Sequence, residues 1–331
     1  MHSIVRLAAL AGSSAMLLTA TAAAQSTIGG VASGSGPLQR AATYLAQGDR
    51  DSAIELLSAH LAEQSDDGRA WFFLGRIYLD EAIRWHRIGH PDSIASATLL
   101  DFASTSFEPA QQLLTDSGGV FRVVVAVERA TLRIERGGWA DAGSMRLAPD
   151  EVPLPPVLAE LGRNLLASCP RNGVLLTGSL AETASAWGMR LQGERSDLVL
   201  VRADMFPWDA RYRSGMDSVL GAAAGADLPT ALAAAAATRP ICLAPGVDSV
   251  TLPGATWRPS LLVLTNAPPT TAFSAHLSVF HFGRTGLAGS VWTAAARDVY
   301  DLAARRNHAL CSTEFVNTVS LTLPTIPACG P

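Results

Sequence analysis

The residues best placed to bind a ligand lie where two predicted strands end. Thr177, Gly178 and Ser179 close one buried strand and open a helix. At such a junction peptide N–H groups and the helix dipole attract anions, and ligands of doubly wound sheets bind there. Asp204 and Asp209 follow the next strand and should face the same crevice. We predict a candidate ligand crevice here. The alternative, favoured because no G-x-G-x-x-G follows the strand, is a plain turn capped by Ser179 with solvated loop acids.

The histidines predict no metal site. His86 and His90 are four residues apart, a spacing that could place two imidazoles on one helix face, but a glycine and a proline interrupt that segment and no H-E-x-x-H motif is present. His276 and His281 are five apart in a predicted strand and should point to opposite faces. No G-x-S-x-G elbow is present either, so we assign no catalytic residue and no cofactor.

Composition excludes further classes of function. The chain has 331 residues, of which 48% are hydrophobic, so it can bury a large core. Its net charge of −4 argues against a nucleic-acid surface. All 25 basic residues counted as Lys+Arg are Arg, which removes a Walker lysine and a Schiff-base lysine.

The N-terminus has the pattern of an export signal. Arg6 precedes an apolar run over residues 7–18, and Ala22 and Ala24 form an A-x-A site with cleavage expected before Gln25. Residues 25–36 are rich in Gly and Ser and predict a flexible linker. The apolar run is short for a membrane span, and no later stretch is long enough. We expect an exported, periplasmic or secreted bacterial protein without a transmembrane segment in the mature chain.

The first half repeats itself. The recurring positions are Ala41, Tyr44, Leu45, Gly48, Ala53 and Leu57, followed by Trp71, Leu74, Gly75 and Tyr78. If Ala53 occupies position 20 of a unit of about 34 residues, Trp71 falls at position 4 of the next unit. This pattern resembles the tetratricopeptide repeat, in which small residues let paired helices approach and aromatics fill the seam.

A third unit is indicated farther along the chain. The turn at residues 48–53 is echoed at 137–142, and Ala130 takes the small position of Ala41. The middle unit is interrupted at 84–91, and its second helix should run from Ser93 to Leu114. The resemblance implies a helical domain over residues 37–146 that binds a protein or peptide, and we name Tyr44, Trp71 and Tyr78 as candidate contacts. The alternative is a packing arm for the second domain.

Beyond a Pro-rich linker at 147–156, strands and helices alternate. We predict helices at 157–167, 181–192, 211–220, 230–237 and 291–306, and strands at 173–177, 197–202, 240–244, 261–265, 276–282 and 315–323. Short apolar strands separated by helices predict a doubly wound, mostly parallel α/β sheet with 173–177 near its centre. The domain should span 157–323, with a tail at 324–331. The fold class is therefore α plus α/β.

The four cysteines favour disulfides because export leads to an oxidising compartment. If the strands at 173 and 240 are neighbours, Cys169 and Cys242 lie towards the same end of the sheet. This favours a Cys169–Cys242 bond, and Cys311–Cys329 follows by elimination. Buried free thiols are the alternative.

A second resemblance covers residues 172–206. The matching residues are Thr177, Glu182, Thr183, Trp187, Gly193, Arg195 and Asp197. They are similar to a segment in the soluble part of bacterial membrane proteins related to protein O-mannosyltransferases. The resemblance implies a strand, a polar turn, a helix with a Trp and a second strand, and it adds Glu182 to the candidate ligand crevice. Two central polar positions of that turn are Leu180 and Ala181 here, which removes side chains that a metal or sugar would need.

Together these features favour an exported, non-enzymatic scaffold or adaptor that binds a protein partner in the cell envelope. The alternative is a carbohydrate- or phosphate-binding enzyme or sensor that uses the candidate ligand crevice.

Overall fold

The computed structural model describes residues 36–87, 93–114, 116–248, 254–268, 277–285, 290–312 and 326–329. The chain divides into two units, Met1–Gly36 and Pro37–Pro331. The predicted signal peptide, the linker up to residue 35, His90, His276 and the predicted strand at 315–323 lie outside the described residues. No helix in the described ranges is long and apolar enough to cross a membrane.

Six helices form the first half of the described chain. They are α1 (Pro37–Ala46), α2 (Arg50–Glu63), α3 (Gly68–Arg87), α4 (Ser93–Leu114), α5 (Asp116–Gly137) and α6 (Trp139–Gly143). The turn between α1 and α2 requires Gly48, which has φ of +80°, and Asp49 caps α2 by accepting from the backbone N–H of Ser52 at 3.1 Å. The bounds of α4 and the α5–α6 turn agree with the sequence prediction.

The first helices share a small core of their own, which we call the repeat core. It consists of Ala41, Ala53, Leu57, Leu61, Ala70, Leu74 and Ile77. Ala41 and Ala53 are fully buried, as expected for positions where helices approach closely. A Cβ at Gly75 would lie 2.7 Å from the ring of Phe107, so this position also requires a small residue.

In its described residues, the second half combines helices with a mixed five-stranded sheet. Its elements are α7 (Pro156–Ser168), β1 (Val174–Thr177), α8 (Leu180–Leu191), β2 (Val199–Arg202), α9 (Ala210–Leu220), α10 (Leu228–Ala236), β3 (Ile241–Leu243), β4 (Arg258–Ser260), β5 (Val263–Thr265), α11 (Phe280–Thr285) and α12 (Val291–Arg306). Short 3-10 helices cover His308–Ser312 and Pro327–Cys329. The fold is thus mostly helical, with a small sheet.

The strand order is β2-β1-β3-β5-β4. β1 pairs in parallel with both β2 and β3, so Leu175 lies opposite Leu200 on one side and Cys242 on the other. The predicted central strand and its predicted neighbour are confirmed. β5 is antiparallel to β3 and to β4, so the expectation of a mostly parallel sheet is corrected to a mixed one. The doubly wound arrangement stays a prediction.

One predicted strand is wrong within the described residues. The segment predicted as strand 276–282 contains the start of helix α11 at Phe280. The buried carboxylate of Glu160 accepts from the backbone N–H groups of His281 and Phe282, each at 2.9 Å, and so stabilises the first turn of that helix. His281 is therefore helical and not part of a strand. The short strand β4 was not predicted, and its Pro259 is tolerated because β4 is an edge strand.

The main core joins the two halves. It includes the buried face of α5, namely Val120, Val123, Val125, Val127, Ala130 and Ile134, together with the strands and α8. Helix α5 packs against both α8 and α9. The predicted division at residues 147–156 stays a prediction, while the hydrophobic core is continuous across it.

Two disulfides pair the four cysteines as predicted. Cys169 follows α7 and bonds to Cys242 on β3, with a Cα–Cα distance of 5.8 Å. Cys311 bonds to Cys329, with a Cα–Cα distance of 5.4 Å. Arg195 supports the first bridge, because its guanidinium donates to the carbonyl oxygens of Leu166 and Cys169 at 2.7 and 3.1 Å.

Candidate functional site

The predicted turn after β1 is closed by a side chain of its own helix. Ser179 caps α8 by accepting from the backbone N–H of Glu182 at 3.3 Å. In return, the carboxylate of Glu182 accepts from the backbone N–H groups of Gly178 and Ser179, each at 3.0 Å. This is a capping box, the arrangement in which both orphan donors at a helix start are satisfied.

The same carboxylate also reaches the neighbouring loop. Glu182 accepts from the backbone N–H of Gly246 at 2.5 Å and is fully buried. A Cβ on Gly178 would lie 2.6 Å from the carbonyl oxygen of Gly246, so the two loops touch. The three N–H groups that could hold an anion therefore already bind the anionic Glu182. Thr177 is buried as well, and its hydroxyl accepts from Thr183 at 3.1 Å.

Each of the two aspartates that follow β2 is hydrogen-bonded to neighbouring residues of the chain. Asp204 pairs with Arg202, whose guanidinium donates to it at 3.0 Å. Asp209 caps α9 by accepting from the backbone N–H groups of Arg211 and Tyr212, both at 2.9 Å. Only 2% of Asp209 is exposed, so it is not a solvated loop acid.

Helix α5 supplies polar side chains that bind Arg202 and Asp209. Glu128 accepts from Arg202 at 2.6 Å, Thr131 accepts from the same guanidinium at 3.3 Å, and the carboxyl of Glu135 is hydrogen-bonded to Asp209. Burial raises the pKa of Glu135 to about 8, and the negative charge of Asp209 adds to the shift. The carboxyl of Glu135 is therefore mostly protonated at neutral pH.

Sequence reasoning missed Glu128, Thr131 and Glu135. The available signal was their spacing of three and four residues, which places them on one face of α5. Arg202 was counted only as a strand residue, although a charged residue at the end of a buried strand requires a partner.

The candidate partner contacts lie on the repeat helices. Tyr44 is 36% exposed on α1. Trp71 packs against the repeat core and donates its indole N–H to the carbonyl oxygen of Ser65 at 2.9 Å. Tyr78 stacks near Phe102, with ring centroids 5.2 Å apart. Of the three, Tyr44 has the largest exposed fraction, while Trp71 and Tyr78 are partly buried against the repeat core.

Within the described ranges, no group of three or more His, Cys, Asp or Glu residues could hold a metal ion. His86 lies in α3 and His281 in α11, while His90 and His276 are outside those ranges.

Comparison with known proteins identifies a repeat in the first three helices. A family model for the tetratricopeptide repeat matches residues 38–77, which cover most of α1, all of α2 and the first half of α3. The repeat predicted from Ala41, Ala53 and Trp71 is therefore supported. No curated protein and no solved structure matches the chain. The resemblance at residues 172–206 stays a prediction.

Proposed function

We propose that this chain is an exported, non-enzymatic tetratricopeptide scaffold or adaptor that binds a protein partner in the cell envelope. The observation that carries the proposal is the family match at residues 38–77, on a helical hairpin that packs around its own small core. Repeats of this type stack into surfaces that other proteins bind. Tyr44 adds an exposed aromatic side chain there, and aromatic residues are enriched at protein interfaces.

The location is supported by the cysteines and by the N-terminal sequence. Two disulfides fit an oxidising compartment outside the cytoplasm. The A-x-A pattern before Gln25 fits removal of a signal peptide. Both observations agree with an envelope or secreted protein.

In this proposal the α/β half is a rigid base for the repeat helices. The doubly wound topology and the relation to the segment of protein O-mannosyltransferase-related proteins belong to this part of the proposal. A carbohydrate- or phosphate-binding function of the candidate ligand crevice has less support, because Glu182 binds the N–H groups of Gly178, Ser179 and Gly246.

Site-specific photocrosslinking in the full chain tests the proposal. A photoreactive amino acid replaces Tyr44 on α1 or, as a control, Trp208, which is 60% exposed near the start of α9. We expect a crosslinked protein of defined mass from position 44 and not from position 208. The captured protein is then identified and purified, and Tyr44→Arg should weaken its binding about tenfold or more.

Two results would contradict the proposal. The first is the absence of any adduct from position 44 in intact envelopes. The second is the same set of adducts from positions 44 and 208, which would indicate random collision.

A further inference from the structure

Two arginines meet at one carbonyl oxygen where α6 ends. Arg190 on α8 donates through Nη2 to the carbonyl oxygen of Gly143 at 2.9 Å, and Arg146 donates through Nη1 to the same oxygen at 3.0 Å. Within the described part of the chain, neither guanidinium forms an ion pair with a carboxylate. This place is at the C-terminal end of α8, opposite to the end that carries the candidate ligand crevice.

Arg190 is buried without a counterion of its own. Only 3% of the residue is exposed, and its Nε atom is buried with no hydrogen-bond partner in the described chain. Burial, followed by the positive charge of Arg146, lowers the pKa of Arg190 to about 10, so the side chain is still charged at neutral pH. A buried charge is normally paired with an opposite one. Arg190 therefore adds positive charge beside Arg146 that no direct partner neutralises.

Arg146 offers the accessible half of this arrangement. It is exposed and uses Nη1 alone for its two hydrogen bonds, to the carbonyl oxygens of Gly143 and Met145. Its Nε–H and Nη2–H groups, the parallel donor pair of a guanidinium, have no acceptor in the described chain. A Cβ on Gly193 would lie 3.4 Å from Cδ and 3.5 Å from Nε of Arg146. The missing side chain at residue 193 keeps this donor pair open.

Helix capping explains only part of the arrangement. The carbonyl of Gly143 ends α6, and an arginine at the end of a helix binds such carbonyls. One arginine would be enough for that role, whereas two converge here and repel each other. The hydrogen bonds to carbonyl oxygens also use only Nη1 of Arg146 and Nη2 of Arg190. The remaining donors are left for a ligand with acceptor atoms.

The charge balance of the surroundings favours a monoanion. Asp197 pairs with Arg195, and its negative charge also acts on Arg190. The exposed Glu194 lies next to Gly193 in the sequence. The three arginines and two acids of this neighbourhood leave an excess of one positive charge. A carboxylate has one negative charge, and its two oxygens match a guanidinium donor pair. A dianionic phosphate would be repelled more strongly by the two acids.

A tryptophan borders the same place. A Cβ on Gly143 would lie 3.0 Å from Nε1 of Trp139, and Cζ of Arg190 lies 5.8 Å from the centre of the Trp139 ring. Trp139 also packs edge-on against the buried Trp187, with ring centroids 5.9 Å apart, which fixes its position. Because Trp139 is only partly buried, a flat apolar group attached to the carboxylate can contact it.

We infer that Arg146, supported by Arg190, binds the carboxylate of a small aromatic acid whose ring contacts Trp139. This site goes beyond the proposed scaffold function and does not depend on it. It is formed by α6, the segment that follows α6 and the C-terminal end of α8, all of which lie outside the residues matched by the tetratricopeptide model.

Fluorine NMR of 4-fluorobenzoate with the full chain tests the inference. We expect the probe to bind, and 4-fluorobenzamide, which is neutral and has the same shape, to bind at least about tenfold more weakly. Fluoroacetate lacks a ring for Trp139 and should bind at least about threefold more weakly than 4-fluorobenzoate. Orthophosphate should displace the probe only at concentrations about tenfold higher than those of unlabelled benzoate.

Variants locate the site. Arg146→Gln removes the donor pair from an exposed position and should weaken binding of 4-fluorobenzoate about tenfold or more. Arg146→Lys keeps the charge without the parallel donors and should still bind at least about threefold more weakly than the wild type. The matched control is Arg163→Gln on α7, another exposed arginine, which should change binding less than about twofold. Circular dichroism checks that all three variants fold.

Each contrary result overturns a defined part. Equal loss in Arg146→Gln and Arg163→Gln, equal binding of the acid and the amide, or no binding at about 20 mM probe would overturn the site. Full binding by Arg146→Lys would exclude recognition by the donor pair, and displacement by orthophosphate as effective as by benzoate would exclude a carboxylate site. If crosslinking from position 44 captures a partner while the probe does not bind, the scaffold function survives without this site.

Discussion

The guanidinium of Arg202 donates to the carboxylate of Glu128 at 2.6 Å, and the two side chains are only 8% and 2% exposed. Arg202 ends β2, and Glu128 lies in the middle of α5, so the pair connects the sheet to the helical half. Although burial opposes its charge, Asp204 and Glu128 hold the pKa of Arg202 above its usual range. The arginine is therefore charged at every pH at which the protein is folded, and it requires both partners.

Removing Glu128 should destabilise the whole protein. In Glu128→Ala the buried guanidinium of Arg202 loses one of its two carboxylates, and breaking a buried pair in this way costs about 3–5 kcal/mol. Urea unfolding at pH 7, followed by circular dichroism, measures the loss. The m-value, the slope of the free energy of unfolding against urea concentration, should stay unchanged, because the variant loses stability without a change in the surface exposed on unfolding.

The control for this variant is Asp101→Ala, which breaks the exposed pair with Arg129. It should change the free energy of unfolding by less than about 1 kcal/mol. If both variants lose the same free energy of unfolding, the buried Arg202–Glu128 pair contributes no more to stability than the exposed pair.

The carboxyl pair of Glu135 and Asp209 should make stability depend on pH. The folded-state pKa of Glu135 is about 8, above its ordinary value of 4.5, so the folded protein binds a proton that the unfolded chain releases. Its contribution is fully present below pH 4.5 and is lost as pH rises towards about 8. Because the side chain is partly exposed, we expect a decrease on the order of 1–2 kcal/mol.

Glu135→Gln isolates this effect. The amide does not ionise and can donate to Asp209, so the variant should be the more stable protein at pH 8 and should show a flatter profile between pH 5 and pH 8. Thermal melts at a series of pH values suffice. Parallel profiles for the two proteins would contradict the raised pKa of Glu135.

The second half should not fold without α5. A fragment that begins at residue 147 lacks Val120, Val123, Val125, Val127 and Ile134, which are part of the main core. It also leaves Arg202 and Asp209 without Glu128 and Glu135. Near-ultraviolet circular dichroism and amide NMR should show a loosely packed fragment. A sharp cooperative transition in the fragment would instead support the domain boundary predicted at 147–156.

Glu182 offers a test of the crevice itself. Glu182→Ala removes the acceptor for Gly178, Ser179 and Gly246 and should cost about 1–3 kcal/mol. The freed N–H groups could then hold an anion, so millimolar phosphate should raise the melting temperature of the variant and not of the wild type. Stabilisation of the wild type by phosphate would favour the ligand-binding alternative.

Much of the fold could be predicted because local signals agree with it. Helix α12 was predicted with its observed bounds, since Ser290 caps it and apolar residues recur along one face. The pairing of β1 with β3, which contains Cys242, was predicted from short apolar runs separated by helices. By contrast, α11 depends on the distant carboxylate of Glu160, and no local pattern reports such a contact.

The candidate ligand crevice was less predictable for a related reason. Sequence spacing placed Asp204 and Asp209 after β2, which is correct. It could not show that α5, more than 60 residues earlier, covers this end of the sheet with Glu128 and Glu135. Which helix covers a strand end is decided by tertiary packing. The polar residues Glu128, Thr131 and Glu135 on α5 could therefore not be assigned to Arg202 and Asp209 from the sequence.

The Cys169–Cys242 bond also has a mechanical consequence. It closes a loop of 73 residues that contains β1, α8, β2, α9 and α10. If the chain is stretched from its ends, tension passes through the sulfur bridge, and this loop cannot be drawn out. At about 3.6 Å per residue, close to 260 Å of contour length should be missing from a fully extended oxidised chain and should reappear on reduction. Under tension, the bridge thus sets a limit on how far the oxidised chain can be extended.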